Sequence, residues 1–407
     1  PALSSLPSTL LPDALSAFLS TFVAGAFLLF LIVVLGPLVA RIPMPALLKQ
    51  TTLRALDISN QGLGDDFVVA LGDVLLRLPY LVTINMKNSR CTDTGVNAVV
   101  SRAGELTKLV QLDLSDNEIG NLSAVSLRNF LNSHKCTLRT LVISNADVDD
   151  DECNQLMSAL QINKSLTELD LSRNLIGASE NLNVVKPDLI TGGESVAEML
   201  RTNETLRVLN LSWNAIRGDS AVELATSLRD NQTLKELILA YNTFGNTGSQ
   251  YMGMSLITNR SIEVLDLSYN SVSPAAAMVI ANAFVDNSAL RVLNLDGNKV
   301  GVRGAAALMG ALRSSNNRRD LNISLRNCDV TFEVGDDGKK LRRLLAHAHA
   351  VGAHAARAIA RLRRVRRRAS RARAGRPGGG PDGQGEGPGR TGQARARARG
   401  HAAGAAA

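Results

Sequence analysis

Residues 109–119 read LVQLDLSDNEI, and the pattern LxxLxLxxNxI of this stretch returns about every twenty-eight residues along the chain. Clear copies are LTELDLSRNLI from Leu166, LRVLNLSWNAI from Leu206, IEVLDLSYNSV from Ile262 and LRVLNLDGNKV from Leu290. Copies begin at Leu53, Leu81, Leu109, Leu138, Leu166, Leu206, Leu234, Ile262, Leu290 and, in degraded form, Asp320. We number the eleven places of the motif as positions one to eleven, and the copies as repeats one to ten.

Each copy combines two hydrophobic periods. Apolar residues at positions four and six alternate with polar ones, which is the period of a short strand with one buried face. Some residues later comes a run such as AVELATSLRDN at 221–231, in which apolar residues return every three or four places, as in an amphipathic helix. One such unit cannot bury its own apolar face and becomes stable only by stacking on neighbours. The sequence therefore predicts one elongated α/β solenoid.

The motif resembles the long-repeat class of the leucine-rich repeat family, typified by ribonuclease inhibitor and the sensor arms of NOD-like receptors. The resemblance covers roughly residues 53–330. It implies a horseshoe with parallel strands on the concave side and helices on the convex side. It also implies that the Asn at position nine buries its amide and bonds the backbone. This position holds Asn117, Asn174, Asn214, Asn242, Asn270, Asn298 and, in the last copy, Cys328.

Three early copies depart from this Asn, with Gln61, Ser89 and Ala146 at position nine. Alanine cannot bond a carbonyl group through its side chain, so buried peptide groups near it need other partners. We therefore expect the arc to be less regular or more mobile around Ala146, with faster amide exchange there than around Asn242.

The hydrophobic pattern outside the repeats predicts further segments. We expect an N-terminal segment at 1–13, a transmembrane helix at 14–40, a linker at 41–52, the repeats at 53–330, a linker and basic amphipathic helix at 331–373, and a disordered tail at 374–407.

The transmembrane prediction depends on the absence of charge between Asp13 and Arg41, a stretch long enough to cross a bilayer. A secretory signal peptide is the competing interpretation. Because Arg41, Lys49 and Arg54 follow the span and no basic residue precedes it, the repeats are predicted to face the cytosol. The predicted localisation is thus a single-pass membrane protein, with a cytoplasmic protein as the alternative.

The C-terminal segment is strongly basic. Residues 339–407 contain two Lys and sixteen Arg against Asp382 and Glu386, a net charge of +16, so residues 1–338 carry 8 − 16 = −8. Apolar residues recur at helical spacing at Leu341, Leu345, Ala348, Val351, Ala355, Ile359, Leu362 and Val365. Such a helix is typical of a contact with anionic lipid or nucleic acid, or it folds back on the acidic arc. An extension without a role, or an error of the gene model, is the other interpretation.

Composition and motifs give little support for a catalytic site or a metal site. The four cysteines have no paired spacing typical of a zinc site or a disulfide framework. Of seven Asn-x-Ser/Thr triplets, four fall at one repeat position, where the motif itself places a polar turn. His134 stands alone in the arc, and no Gly-rich phosphate loop, nucleophile elbow or metalloprotease helix is present. We therefore expect no catalytic residues, no metal and no cofactor.

Position eight carries the strongest candidate for binding. It holds Trp213, Tyr241 and Tyr269 in three successive repeats, and Arg173 in the repeat before them. Because adjacent strands lie about 4.8 Å apart, the rings are expected to form a continuous exposed ladder. Positions three and five add an acidic setting at Glu168, Asp170, Glu236 and Asp266. The alternatives are rings that only cover neighbouring backbone and Asp residues that only serve the fold.

The fifth repeat contains about a dozen extra residues within GASENLNVVKPDLITGG, which predicts a loop at one rim of the arc. Together these features predict a non-catalytic scaffold or sensor arm that binds a protein on its concave face. The resemblance leaves two rivals, a Ran-type GTPase-activating protein, whose family typically ends in an acidic tail, and an extracellular receptor fragment.

Overall fold

The computed structural model describes residues 52–178, 190–314 and 321–330. Within these ranges ten three-residue strands alternate with nine helices. The strands are β1 Ala55–Asp57, β2 Thr83–Asn85, β3 Gln111–Asp113, β4 Thr140–Val142, β5 Glu168–Asp170, β6 Val208–Asn210, β7 Glu236–Ile238, β8 Val264–Asp266, β9 Val292–Asn294 and β10 Asn322–Ser324. The helices are α1 Gly64–Leu75, α2 Asp93–Ala103, α3 Asn121–Asn132, α4 Asp150–Leu160, α5 Gly192–Thr202, α6 Gly218–Ser227, α7 Gly245–Thr258, α8 Pro274–Ala283 and α9 Gly301–Ser314.

All ten strands form one parallel sheet in chain order. Equivalent positions pair throughout, so that Leu112 of β3 lies beside Leu141 of β4. Neighbouring strands lie about 4.8 Å apart, whereas packed helices need about 8–10 Å, so the stack curves with the sheet on its inner side. The predicted α/β solenoid is confirmed.

The core lies between the sheet and the helices. In the third repeat the motif residues Leu109, Leu112, Leu114 and Ile119 are all at most 2% exposed, and Leu127 of α3 closes the layer from the helix side. Equivalent side chains of successive repeats continue this arrangement as one cluster. The core is therefore shared between repeats, as the stacking argument requires.

Buried or half-buried Asn side chains at position nine connect repeat three, and each of repeats five to nine, to the repeat before it. Asn117 donates from Nδ2 to the carbonyls of Met86 and Leu114 at 2.8 and 3.0 Å, and its Oδ1 accepts the N–H groups of Ser89 and Cys91. Asn174, Asn214, Asn242, Asn270 and Asn298 make comparable bonds across their repeats. In the tenth copy the thiol of Cys328 donates to the Leu295 carbonyl. Each side chain thereby bonds peptide groups that the turn after the strand leaves without a strand partner.

The backbone compensates where the Asn is missing. At Ala146 the N–H of Ile119 bonds the Ala146 carbonyl at 3.0 Å, where other repeats present an amide oxygen. The pairing of β3, β4 and β5 runs through this region without a break. Faster amide exchange around Ala146 stays a prediction.

Several helix starts are capped by a carboxylate from the preceding repeat. Asp93, at the start of α2, accepts the N–H groups of Gly120, Leu122 and Ser123 at the start of α3. Burial opposes ionisation of Asp93, but these bonds and the Ser123 hydroxyl outweigh it and lower the pKa of the carboxyl. The caps thus add polar contacts between repeats to the apolar core.

One carboxylate also closes the base of the long fifth repeat. Asp150 Oδ1 accepts the N–H of Gly177 at 2.6 Å and that of Gly192 at 2.8 Å. The extra residues 179–189 lie outside the described residues. The two ends of the insertion are therefore held together, and α5 takes its regular place beside α4.

The membrane localisation predicted above requires correction. None of the helices in the three described ranges is both long and apolar enough to cross a bilayer. The expected span at 14–40, like the basic helix at 331–373 and the tail at 374–407, lies outside those ranges. The single-pass localisation, with its orientation, is therefore withdrawn.

Candidate functional site: the position-eight column

Position eight follows each strand by three residues and lies at the edge of the sheet where the strands end. Trp213, Tyr241 and Tyr269 follow β6, β7 and β8, and their side chains are 47%, 36% and 41% exposed. Position nine in the same repeats is the buried or half-buried Asn of the internal series. The backbone thus turns one side chain inward and its neighbour outward, which places the three rings at the surface.

The three rings stack on one another. The ring centroids of Trp213 and Tyr241 are 3.9 Å apart with an interplanar angle of 12°, and those of Tyr241 and Tyr269 are 4.1 Å apart with an angle of 10°. Ring faces are therefore covered inside the stack, and ring edges with the two tyrosine hydroxyls remain toward solvent. We call Trp213, Tyr241 and Tyr269 the aromatic column.

Different groups cover the two ends of the aromatic column. The guanidinium carbon of Arg173 lies 5.2 Å from the centroid of the Trp213 ring, within the range of a cation–π contact. At the other end the Tyr269 ring covers Gly297, where an added Cβ would come within 2.4 Å of the ring carbon Cε1. The sequence reasoning missed Gly297, although a glycine directly after three large residues in one repeat position was a usable signal.

Position eight also has an unusual backbone. Its φ lies between +51° and +69° in Asn60, Asn88, Asp116, Asn145, Arg173, Trp213, Tyr241, Tyr269, Gly297 and Asn327. This left-handed region suits Gly, Asn and Asp, whereas other side chains pay about 1–2 kcal/mol for it. Four successive repeats therefore hold side chains that the turn disfavours, and all four belong to the stack that begins at Arg173.

The acidic residues beside the aromatic column differ in role. Glu168 and Glu236 occupy position three and are half-exposed on the sheet surface. At position five, Asp170 and Asp266 accept the N–H of Ser172 and Ser268 two residues on, at 2.9 and 3.0 Å. These Asp residues form the turn that ends the strand, so their presence in the motif is explained by the fold.

Two ionisable groups at the site have shifted pKa values. Burial, and then the negative charge of Asp296, raise the pKa of Asp266. The pKa of Tyr241 is raised first by loss of hydration, then by its hydrogen bond with Tyr269 and by nearby negative charge. Since a tyrosine ordinarily titrates near 10, the Tyr241 hydroxyl remains a neutral donor and acceptor at neutral pH.

In the first four repeats position eight is polar. Asn88 donates to Asn60 at 3.1 Å, and Asn145 donates to Asp116 at 2.8 Å. Asp116 also pairs with Lys87 Nζ at 2.9 Å. Position-eight side chains of neighbouring repeats thus contact one another in this part of the sheet too, but they offer no aromatic surface.

Reactive side chains do not assemble elsewhere in the described ranges. No group of three His, Cys, Asp or Glu residues there could hold a metal ion. The cysteines in these ranges are free thiols. Burial raises the pKa of Cys91 to about 12 and that of Cys328 to about 11, so both stay protonated.

The family model described as "Leucine Rich repeat" matches residues 105–127, 163–179, 202–225, 230–252, 258–281 and 286–309. NACHT, LRR and PYD domains-containing protein 12 of Homo sapiens is 31% identical over 188 residues, covering 42% of this chain and 18% of that protein. The corresponding protein 5 of Mus musculus is 30% identical over 132 residues, covering 32% and 11%. Ribonuclease inhibitor of Sus scrofa is 32% identical over 127 residues, covering 31% and 28%. The chain thus spans less than a third of each of these relatives.

Two solved structures are also similar. The crystal structure of a TLR13–ssRNA13 complex has a TM-score of 0.38 at 19% identity, covering 63% of this chain and 30% of the other. Leiomodin-1 actin-binding site 2 has a TM-score of 0.31 at 21% identity, covering 39% and 84%.

Proposed function

The chain is a leucine-rich repeat protein, and we propose that it is a non-catalytic protein-interaction module, a scaffold or sensor arm, that binds its partner on the concave sheet face. The contact surface is centred on Trp213, Tyr241 and Tyr269. Arg173 extends it at one end, and Glu168 and Glu236 flank it on the strands. The similarity to a ribonuclease inhibitor, whose name states an action on another protein, supports this class of function.

The observation that carries the proposal is the combination of exposure and backbone conformation in the aromatic column. Three large rings at the surface occupy a left-handed position that Asn, Asp or Gly fills in most other repeats. Strained backbone of this kind persists where function requires the side chain. Stacked aromatics at a surface are also the composition that interface hot spots favour.

Stacking alone does not account for the aromatic column. Each stacked pair contributes about 0.5–1.5 kcal/mol. The left-handed conformation costs each ring residue about 1–2 kcal/mol. The two effects are similar in size, so stacking gives the folded chain little net stability, and partner binding is the role that we propose for the rings.

The test replaces all three rings by the residue that the same turn holds in other repeats. The variant Trp213→Asn, Tyr241→Asn, Tyr269→Asn keeps the left-handed turn and removes the aromatic surface. Proteins captured by the intact chain from a lysate are identified by mass spectrometry, purified and titrated against both chains. We expect the affinity of a concave-face partner to fall by at least about 100-fold, as for hot-spot residues, while the melting temperature changes little.

A matched control carries Tyr80→Asn and Tyr251→Asn, which remove exposed tyrosines outside the column. The control should bind as the intact chain does. Equal affinity of the triple variant and the intact chain would eliminate the aromatic column as the binding site.

A further inference from the structure

The sheet surface beside the aromatic column carries one sign of charge. Across β5 to β9 and the turns that follow them, positions three, five and seven hold five carboxylates and no cation. They are Glu168, Asp170, Glu236, Asp266 and Asp296. Half-buried Ile238 and Val264 lie among them. We call this surface, together with the aromatic column, the concave band.

Three of these carboxylates are held by neutral donors. Asp170 accepts from the Ser172 N–H and from Asn210 Nδ2 at 3.0 Å. Asp296 accepts from the Ser324 hydroxyl at 2.6 Å and from the backbone N–H of Arg326 at 2.7 Å. Within the described ranges, neither these two nor Asp266 forms an ion pair. Their negative charge is therefore oriented but uncompensated, and it attracts cations from solution.

On this sheet surface the charge of a neighbouring carboxylate adds to burial in opposing ionisation. The pKa of Asp266 is raised by burial and by Asp296, and that of Asp113 by burial and by Asp170 two strands away. A cation placed on the concave band lowers this repulsion. An occupant that combines positive charge with an apolar face fits the surface best.

The chain contains one segment of that chemistry. Residues 339–373 hold two Lys and eleven Arg and neither Asp nor Glu, and their apolar residues recur at helical spacing. Residues 1–338 carry a net charge of −8, against +16 for the residues from 339 onward. This segment lies outside the described residues.

The segment is also within reach. The last described residue, Val330, follows β10. β10 lies five strand steps from β5, which is about 24 Å, and residues 331–338 can span about 26 Å when extended. A tether this short gives an effective concentration in the millimolar range, so even a weak contact within the chain is populated.

We propose that residues 339–373 dock in cis on the concave band, with arginine side chains at its carboxylates and apolar side chains on the aromatic column. This inference rests on the proposed function, because it assigns the same face a competing occupant within the chain. A partner protein then binds by displacing the segment. The docked segment therefore lowers the apparent affinity of the chain for its partner.

Limited trypsin digestion of the full chain tests the docking, since free arginine-rich segments are cut rapidly and docked ones slowly. The variant Glu168→Gln, Glu236→Gln removes two charges from the concave band. The matched control Glu105→Gln, Glu204→Gln removes two charges at exposed positions in the turns before the strands. Cleavage within 361–368 is followed by mass spectrometry at low and high salt.

We expect the intact chain and the control to be cut several-fold more slowly than the concave-band variant at low salt, with the difference lost at about 1 M salt, where screening is nearly complete. Equal cleavage of all three chains overturns the docking, whether the segment is free or bound elsewhere. Capture of a partner is measured separately on the ring variant, so failure of the docking leaves the proposed function standing. Undiminished capture by the ring variant refutes the proposed function whatever trypsin shows.

Discussion

The first four repeats and the next four share one backbone and differ in what they place on it. Position eight is left-handed in all eight. In the first four it holds Asn60, Asn88, Asp116 and Asn145, which tolerate the conformation and bond one another in two pairs. In the next four it holds one Arg and three aromatic residues. The difference shows that the turn determines where a side chain points, while the residue type there is free to serve a surface.

Position nine also differs between the two groups of repeats. Position nine is Gln61, Ser89, Asn117 and Ala146 in the first four repeats, and Asn in each of repeats five to nine. The repeats that bear the strained rings therefore have the complete set of side-chain bonds beneath them. Such over-determined surroundings are what allow costly conformations to persist.

Removing one position-nine Asn from repeats five to eight would make them resemble the first four repeats. This change should produce the largest loss of stability. Asn242 Nδ2 donates to the carbonyls of Leu211 and Leu239, and its Oδ1 accepts the Ile216 N–H. We expect Asn242→Ala to lower the free energy of unfolding by about 3 kcal/mol, since each buried group left without a partner costs about 1–3 kcal/mol. Urea unfolding followed by circular dichroism measures the change.

The control is Asn282→Ala on the exposed face of α8, which should change stability by less than about 0.5 kcal/mol. Comparable stability of both variants would mean that the backbone compensates at Asn242 as it does at Ala146, and the contrast between the two regions would disappear.

Adding a methyl group at Gly297, where the aromatic column ends, should have an intermediate effect on stability. In Gly297→Ala the new Cβ collides with the Tyr269 ring, and the residue keeps a φ near +69°. We expect a loss of about 1–2 kcal/mol from the left-handed conformation. Trp213 is the only tryptophan, so its fluorescence reports whether the displacement passes along the stack.

Gly310→Ala on α9 meets no atom within 4 Å and should be neutral or stabilising. Unchanged tryptophan fluorescence in Gly297→Ala would show that the rings respond independently, and the aromatic column would then not be one unit.

The smallest expected effect on stability concerns the acidic start of α4, in the fourth repeat. Burial, and then the Asp149 carboxylate, raise the pKa of Glu152 from 4.5 to about 7. The folded chain therefore keeps a proton that the unfolded chain releases, so this group's contribution to stability is present below pH 4.5 and is lost as the pH rises to about 7. Because Glu152 is partly exposed, we expect less than about 1 kcal/mol.

Urea unfolding at pH 4.5, 6 and 8 checks this for the intact chain and Glu152→Gln. The variant should gain stability relative to the intact chain as the pH rises. A constant difference across the range would contradict the assigned pKa.

The sequence predicted the fold well because its signal is repeated. Leu112 and its equivalents recur at a fixed interval, and each copy supports the next. The position of the rings followed from the same counting. Their stacking distances, the left-handed φ of position eight and the contact of Tyr269 with Gly297 depend on backbone geometry that spacing does not contain. The carbonyl of Ala146 likewise replaces an amide through a backbone bond, which side-chain identity cannot indicate.

The closure at Asp150 has a consequence for how the solenoid accommodates extra residues. A single oxygen holds Gly177 and Gly192, so the stretch between them begins and ends at one point on the solenoid. Because α4 and α5 already pack against each other across this closure, their contact does not depend on the length of the stretch that the closure holds. Asp150 thus marks a position where the solenoid carries extra chain without separating two neighbouring repeats.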